Sequence, residues 1–216
     1  MGASVSAGFG GTPWGDAFQA AAKPCPTPGA ESCTAVESWA NALLFRDPVG
    51  ETRAQLDKAI AFHATTVVGI DLLFWHVYNV RNVDAGLAEL DKVLATGAWV
   101  IVGDVPLITT ASELLLPKEA IPSQAELDAA NAKISAWAKT DHVLLVPLSA
   151  WTEPLRAGAD VEIAPGEKVP AISLMALDGL HANALGTWYL LNRLDHFIEE
   201  KLPGTPKDAL QFVRPR

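Results

Sequence analysis

Four brief apolar runs punctuate this sequence, at residues 41–45, 65–70, 98–102 and 142–147, each rich in Val, Leu or Ile. Uninterrupted runs of this length suit strands buried on both faces, as in a parallel sheet. Between and after them lie longer stretches, 52–62, 83–96, 123–140 and 184–199, with apolar residues at three- and four-residue spacing. That spacing lines one face of a helix, and the third stretch opens with Ser123 and Glu126, spaced as a capping box. Neighbouring parallel strands need a long crossover, usually a helix. The alternation therefore predicts an α/β domain, a three-layer α/β/α sandwich with a mostly parallel sheet. Ligands of such sheets bind at the carboxyl ends of the strands, which here are residues 46–50, Asp71 with 72–76, 103–106 and 148–151.

The length, 216 residues, suits one domain spanning 1–216. Half of the residues are apolar and 19% are charged, which excludes disordered, collagen-like and coiled-coil chains. The net charge is -9, and no Lys/Arg cluster occurs, so a nucleic acid partner is excluded. No window reaches the roughly 18 consecutive apolar residues of a membrane span, because Asp71, Asp104 and Asp178 interrupt the most hydrophobic stretches. A soluble protein with a small-molecule partner is expected. The opening residues, MGASVSAGFG, lack a cationic segment followed by an apolar one. The compartment stays open between cytoplasmic and exported. Cys25 and Cys33 flank a Pro/Gly-rich loop and are read as free thiols, or as a pair in an exported protein, with no metal-site spacing around them.

Chemistry concentrates at the two ends of the chain. Asp178 precedes His181 by three residues, just ahead of the last helical stretch. An aspartate so placed can turn back to accept from Nδ1–H, leaving Nε2 outward as a general base. At the other end, residues 2–8 read GASVSAG, a turn of small residues holding a serine. A nucleophile on a tight turn needs such neighbours for close backbone approach.

In this order the segments resemble the SGNH or GDSL hydrolases, a family of esterases and lipases. Residues 2–8 resemble that family's first block, GDSLSxG, with Ser4 at the nucleophile position. Gly50-Glu51-Thr52, with Ala54, Gln55 and Leu56, resembles the second, whose glycine N–H serves the oxyanion hole. Asp178 to His181, followed by Gly186, resembles the fifth block, DxxH. The resemblance implies a flavodoxin-like fold with five parallel strands, ester hydrolysis through an acyl-enzyme, and no cofactor or metal. It also implies the roles. Ser4 attacks, His181 takes its proton, Asp178 orients the ring, and the N–H groups of Ser4 and Gly50 hold the oxyanion. Phe74, Trp75 and Tyr78 are candidates to line an acyl or aryl pocket.

The chain departs from the family at three places. Ala3 stands where the first block has aspartate. Gly69-Ile70-Asp71-Leu72 replaces GxND, so Asp71 occupies the position of an oxyanion-hole asparagine, with Asn79 or a water as substitute donor. Only Met1 and Gly2 precede the serine turn, so the first central strand is read as truncated. His63, His76, His142 and His196 read as structural. Two further readings use the same residues: a degenerate relative that binds an acylated ligand without turnover, and an O-acyltransferase.

Overall fold

The computed structural model describes residues 1–9, 11–22, 35–111, 113, 115–202 and 210–215, and turns three of the four apolar runs into strands. These are β1 (Thr66–Gly69), β2 (Trp99–Gly103) and β3 (Val143–Val146). They form one parallel sheet with β2 in the centre, in register Val67 to Val100 and Val100 to Val143. The protein is therefore an α/β fold. The sheet has three strands among the described residues, where the resemblance implies five.

The helices fall largely where the spacing placed them. They are α1 (Trp14–Ala21), α2 (Pro48–Ala61), α3 (Phe74–Tyr78), α4 (Val83–Leu94), α5 (Gln124–Trp137), α6 (Leu148–Ala157) and α7 (Ala184–Lys201). Helix α2 starts four residues ahead of the expected 52, because Asp47 caps Gly50 N–H and Pro48 sits at the first turn, where its missing N–H costs nothing. Ser123 and Glu126 close the expected capping box on α5. Between α6 and α7 an antiparallel ribbon, β4 (Asp160–Ala164) and β5 (Glu167–Pro170), was not anticipated.

The run 41–45 is a correction. It forms no strand, because Asn41 Oδ1 accepts from Leu43 N–H at 2.9 Å and Asn41 O accepts from Leu44 N–H at 3.1 Å. An asparagine that bonds its own downstream backbone offers the chain a turn in place of a ladder. A 3₁₀ turn, Leu44–Arg46, follows, with Leu44 fully buried.

Period-two alternation in β2 divides the core. Val100 and Val102 join a cluster with Leu56 of α2, Leu90 of α4 and Ile134 of α5. Ile101 joins the other, with Trp14 of α1, Trp151 of α6 and Leu194 of α7. Each such fully buried aliphatic side chain contributes about 1.5–3 kcal/mol. Cys25 and Cys33 lie outside the described residues. Among the described residues no helix is long and apolar enough to cross a membrane.

His76 is fully buried on α3, with Nε2 2.9 Å from Thr52 Oγ1 of α2. Burial holds its pKa below the ordinary value, because a desolvated imidazolium is costly. The unfolded chain therefore binds a proton that the native state refuses. Stability should be full above the ordinary histidine value of about 6.5 and decline as pH falls below it. Urea unfolding at mildly acidic and neutral pH would read this. His76→Leu should shrink the difference between the two.

Candidate active site

The serine turn, residues 2–9, lies across the carboxyl end of β1. Gly2 N–H donates to Gln55 Oε1 at 2.8 Å, and Gln55 Nε2 donates to Gly2 O at 3.1 Å, which pins the start of the turn to α2. Asp71, two residues past β1, holds its middle. One oxygen, Oδ2, accepts from Val5 N–H at 3.0 Å and Ser6 N–H at 3.1 Å, while Oδ1 accepts from the buried Ser6 hydroxyl at 2.5 Å. Gly2 has φ +137°, and a Cβ there would lie 2.1 Å from Asp71 Oδ1. Only glycine fits between the turn and its clamp.

The second turn precedes α7. Asp178 Oδ1 accepts from Leu180 N–H and His181 N–H, each at 2.9 Å, and Oδ2 stands 2.7 Å from His181 Nδ1. Gly179 has φ +66°, and its carbonyl accepts from Thr110 Oγ1 at 2.6 Å. Burial pushes the Asp178 carboxyl upward, but the hydrogen bonds from His181 and Leu180 outweigh it and hold its pKa below the usual range. An ionised Asp178 fixes the imidazole tautomer with the proton on Nδ1, leaving Nε2 as acceptor. His181 Nε2 lies 2.7 Å from Ser4 Oγ, across 177 residues of sequence. The His181 side chain is 5% exposed, and the Phe9 ring lies 4.5 Å from its own. The three residues thus form one continuous hydrogen-bonded chain, serine to histidine to aspartate.

Backbone N–H groups seek acceptors, and most of those in the serine turn find one. Those of Val5 and Ser6 go to Asp71, and those of Ala7, Gly8 and Phe9 go to Ala3 O, Val5 O and Ser4 O. Ala3 and Ser4 N–H have no acceptor among the described residues. Both residues border a cavity of about 110 Å³.

That cavity lies at the carboxyl ends of the three strands, lined by Ile70 and Asp71 after β1, Asp104 and Val105 after β2, and Leu148 after β3. Phe74 lines it as expected. Asp104 borders it too, and is spent on α6, accepting from Ser149 N–H at 2.7 Å and from the Ser149 hydroxyl.

Four expectations are corrected. Gly50 N–H donates to Asp47 Oδ1 at 3.0 Å as the cap of α2, so it is not a free oxyanion donor; Gln55 is the residue of that block that reaches the serine turn. Asp71 is no donor either, because its carboxylate accepts three hydrogen bonds from the turn. Asn79, named as its substitute, donates its amide to Phe45 O at 2.7 Å. Trp75 packs in the core against Phe45 and Phe74 and does not line the cavity.

Tyr78, the third pocket candidate, is corrected too, since it does not line the cavity itself. Its hydroxyl donates to Pro106 O and accepts from Ile108 N–H, both at 2.8 Å. Burial pushes its pKa up to about 12, so it stays a donor. Among the described residues no group of three or more His, Cys, Asp or Glu is placed to hold a metal ion. No family model matches the chain, and comparison with curated proteins and with solved structures finds no match.

Proposed function

We propose that this protein is a serine hydrolase that cleaves carboxylic esters through an acyl-enzyme, as the resemblance to the SGNH or GDSL hydrolases implies. The observation that carries the reading is the unbroken relay from Ser4 Oγ through His181 to Asp178, with 2.7 Å at each hydrogen bond of the imidazole. A chance approach of serine and histidine would not also supply an orienting carboxylate, uncommitted turn amides and an apolar cavity at one point.

Ser4 is a weak nucleophile at its own pKa, so its proton must leave as it attacks. His181 Nε2 takes that proton while Ser4 Oγ bonds to the ester carbonyl carbon. Asp178 stabilises the imidazolium that forms. The carbonyl oxygen, now negative, is held by the Ser4 N–H, which Asp71 leaves uncommitted. Collapse breaks the bond to the alcohol oxygen, which takes the proton from His181 Nε2. Water then attacks the acyl-Ser4 carbonyl and gives a proton to His181 Nε2, and collapse breaks the acyl–Oγ bond, releases the acid and returns that proton to Ser4 Oγ.

An alkyl fluorophosphonate tests the reading directly. One equivalent should be incorporated on the peptide containing Ser4, with loss of p-nitrophenyl butyrate turnover in the same proportion. A folded protein that neither incorporates the probe nor hydrolyses the ester would overturn it.

A further inference from the structure

The cavity beside Ser4 has a size and a lining that together specify the acid half of a substrate. Its space, about 110 Å³, is less than the roughly 150 Å³ of an apolar cavity that takes up benzene. Its walls are largely aliphatic, with Ile70, Ile108, Leu148, Leu180 and Leu190 lining it beside Phe74. Among the described residues no Lys, Arg or His lines it. The two carboxylates at its border are already spent, Asp71 on the serine turn and Asp104 on Ser149.

Resting on the serine-hydrolase reading, we propose that this cavity is the acyl subsite and takes short, uncharged aliphatic acyl groups of about four to six carbons. Phe74 sets the limit on chain length, and Tyr78 is the positioning residue that keeps Phe74 and the opposing wall in place. The Phe74 ring stacks on Tyr78, with centroids 4.1 Å apart and planes 15° from parallel. The Tyr78 hydroxyl bonds Pro106 O and Ile108 N–H, and both of those residues line the same cavity. One phenol thus ties two walls together. A longer chain must displace Phe74 against a buried, hydrogen-bonded neighbour, and close-packed interiors resist such shifts. A charged acyl group would lose its hydration beside two carboxylates, with no cation among the described lining residues to meet it.

The test is a series of p-nitrophenyl esters, acetate, butyrate, hexanoate, octanoate, decanoate and the anionic succinate, with the full chain. The expected kcat/KM peaks at butyrate or hexanoate and falls about tenfold or more by decanoate, as overfilling a pocket of fixed size requires. Succinate should fall below butyrate. Phe74→Ala, or Phe74→Leu if the first folds poorly, should raise the decanoate-to-butyrate ratio about tenfold. Tyr78→Phe should move it the same way by less. A ratio of two substrates on one protein cancels any loss of folded fraction, so a merely structural effect leaves it unmoved. Labelling rates with butyl and decyl fluorophosphonates give the same ratio without turnover. A wild-type profile that is flat or rises through decanoate, or ratios unmoved in all the variants, would overturn the subsite and leave the serine hydrolase standing. Absence of both turnover and labelling of Ser4 overturns the hydrolase reading, and the subsite with it.

Discussion

Ser4→Ala should abolish ester turnover, lowering kcat on the order of 10⁵–10⁶-fold, and His181→Ala should cost nearly as much. The two losses should not multiply. Ser4 Oγ and His181 Nε2 share one hydrogen bond at 2.7 Å, so each is useless for this chemistry without the other. The double variant should therefore match the single ones. Asp178→Asn is the finer probe. The amide keeps the shape but presents either an oxygen or an N–H to His181 Nδ1, and it cannot supply the negative charge that steadies the imidazolium. A loss on the order of 10⁴ in kcat with KM nearly unchanged is expected. Folding should survive in Ser4→Ala, whose hydroxyl has no part in the Asp71 clamp. Circular dichroism and fluorophosphonate labelling of each variant would separate lost chemistry from lost structure. Turnover that persists in Ser4→Ala would remove the nucleophile from the mechanism.

The arrangement of Ser4, His181 and Asp178 was legible because its parts carry local signatures. Asp178 and His181 sit three apart in a turn, and the small residues around Ser4 mark a close approach. That the two ends meet was an inference from order along the chain, which the 2.7 Å contact between Ser4 and His181 now gives as geometry. The strands β1, β2 and β3 were legible for the same reason, since short apolar runs have few other uses. The run at 41–45 misled because its composition is that of a strand, while the side chain of Asn41 chose the turn. Composition does not register one side-chain hydrogen bond. The donors of the proposed oxyanion site were legible only in part. Gly50 resembles a motif glycine, yet its N–H faces Asp47, and a cap and an oxyanion donor look alike in one dimension. Trp75 and Tyr78 illustrate the same limit on a five-residue helix, where Phe74 faces the cavity, Trp75 the core, and Tyr78 reaches two loop backbones. A helix that short has too few residues for periodicity to say which face is buried.

Asp71 is the position where the resemblance and the structure differ most, and the difference can be measured. An asparagine there would be expected to donate to the oxyanion, and an aspartate in the same role would repel it. Asp71 instead accepts from Val5 N–H, Ser6 N–H and Ser6 Oγ, so its charge holds the turn that carries Ser4. Asp71→Ala strands three donors at once, two of them backbone. The expected loss is about 2–5 kcal/mol of stability, since each unsatisfied buried group costs roughly 1–3 kcal/mol and the loosened turn admits some water. A displacement of Ser4 by about 1 Å should lower kcat/KM on the order of 10²-fold. Asp71→Asn separates the two roles. Its amide oxygen can still accept from both N–H groups, while the Ser6 hydroxyl rotates to accept from its NH₂. What is lost is the charge, which makes such hydrogen bonds about twice as strong as neutral ones. The clamp therefore requires Asn to lie between wild type and Ala in both stability and kcat/KM. An oxyanion role requires the opposite order, with Asn faster than wild type, because a repelling carboxylate would have been exchanged for a donor. Denaturant midpoints and butyrate kinetics on the three proteins decide between them.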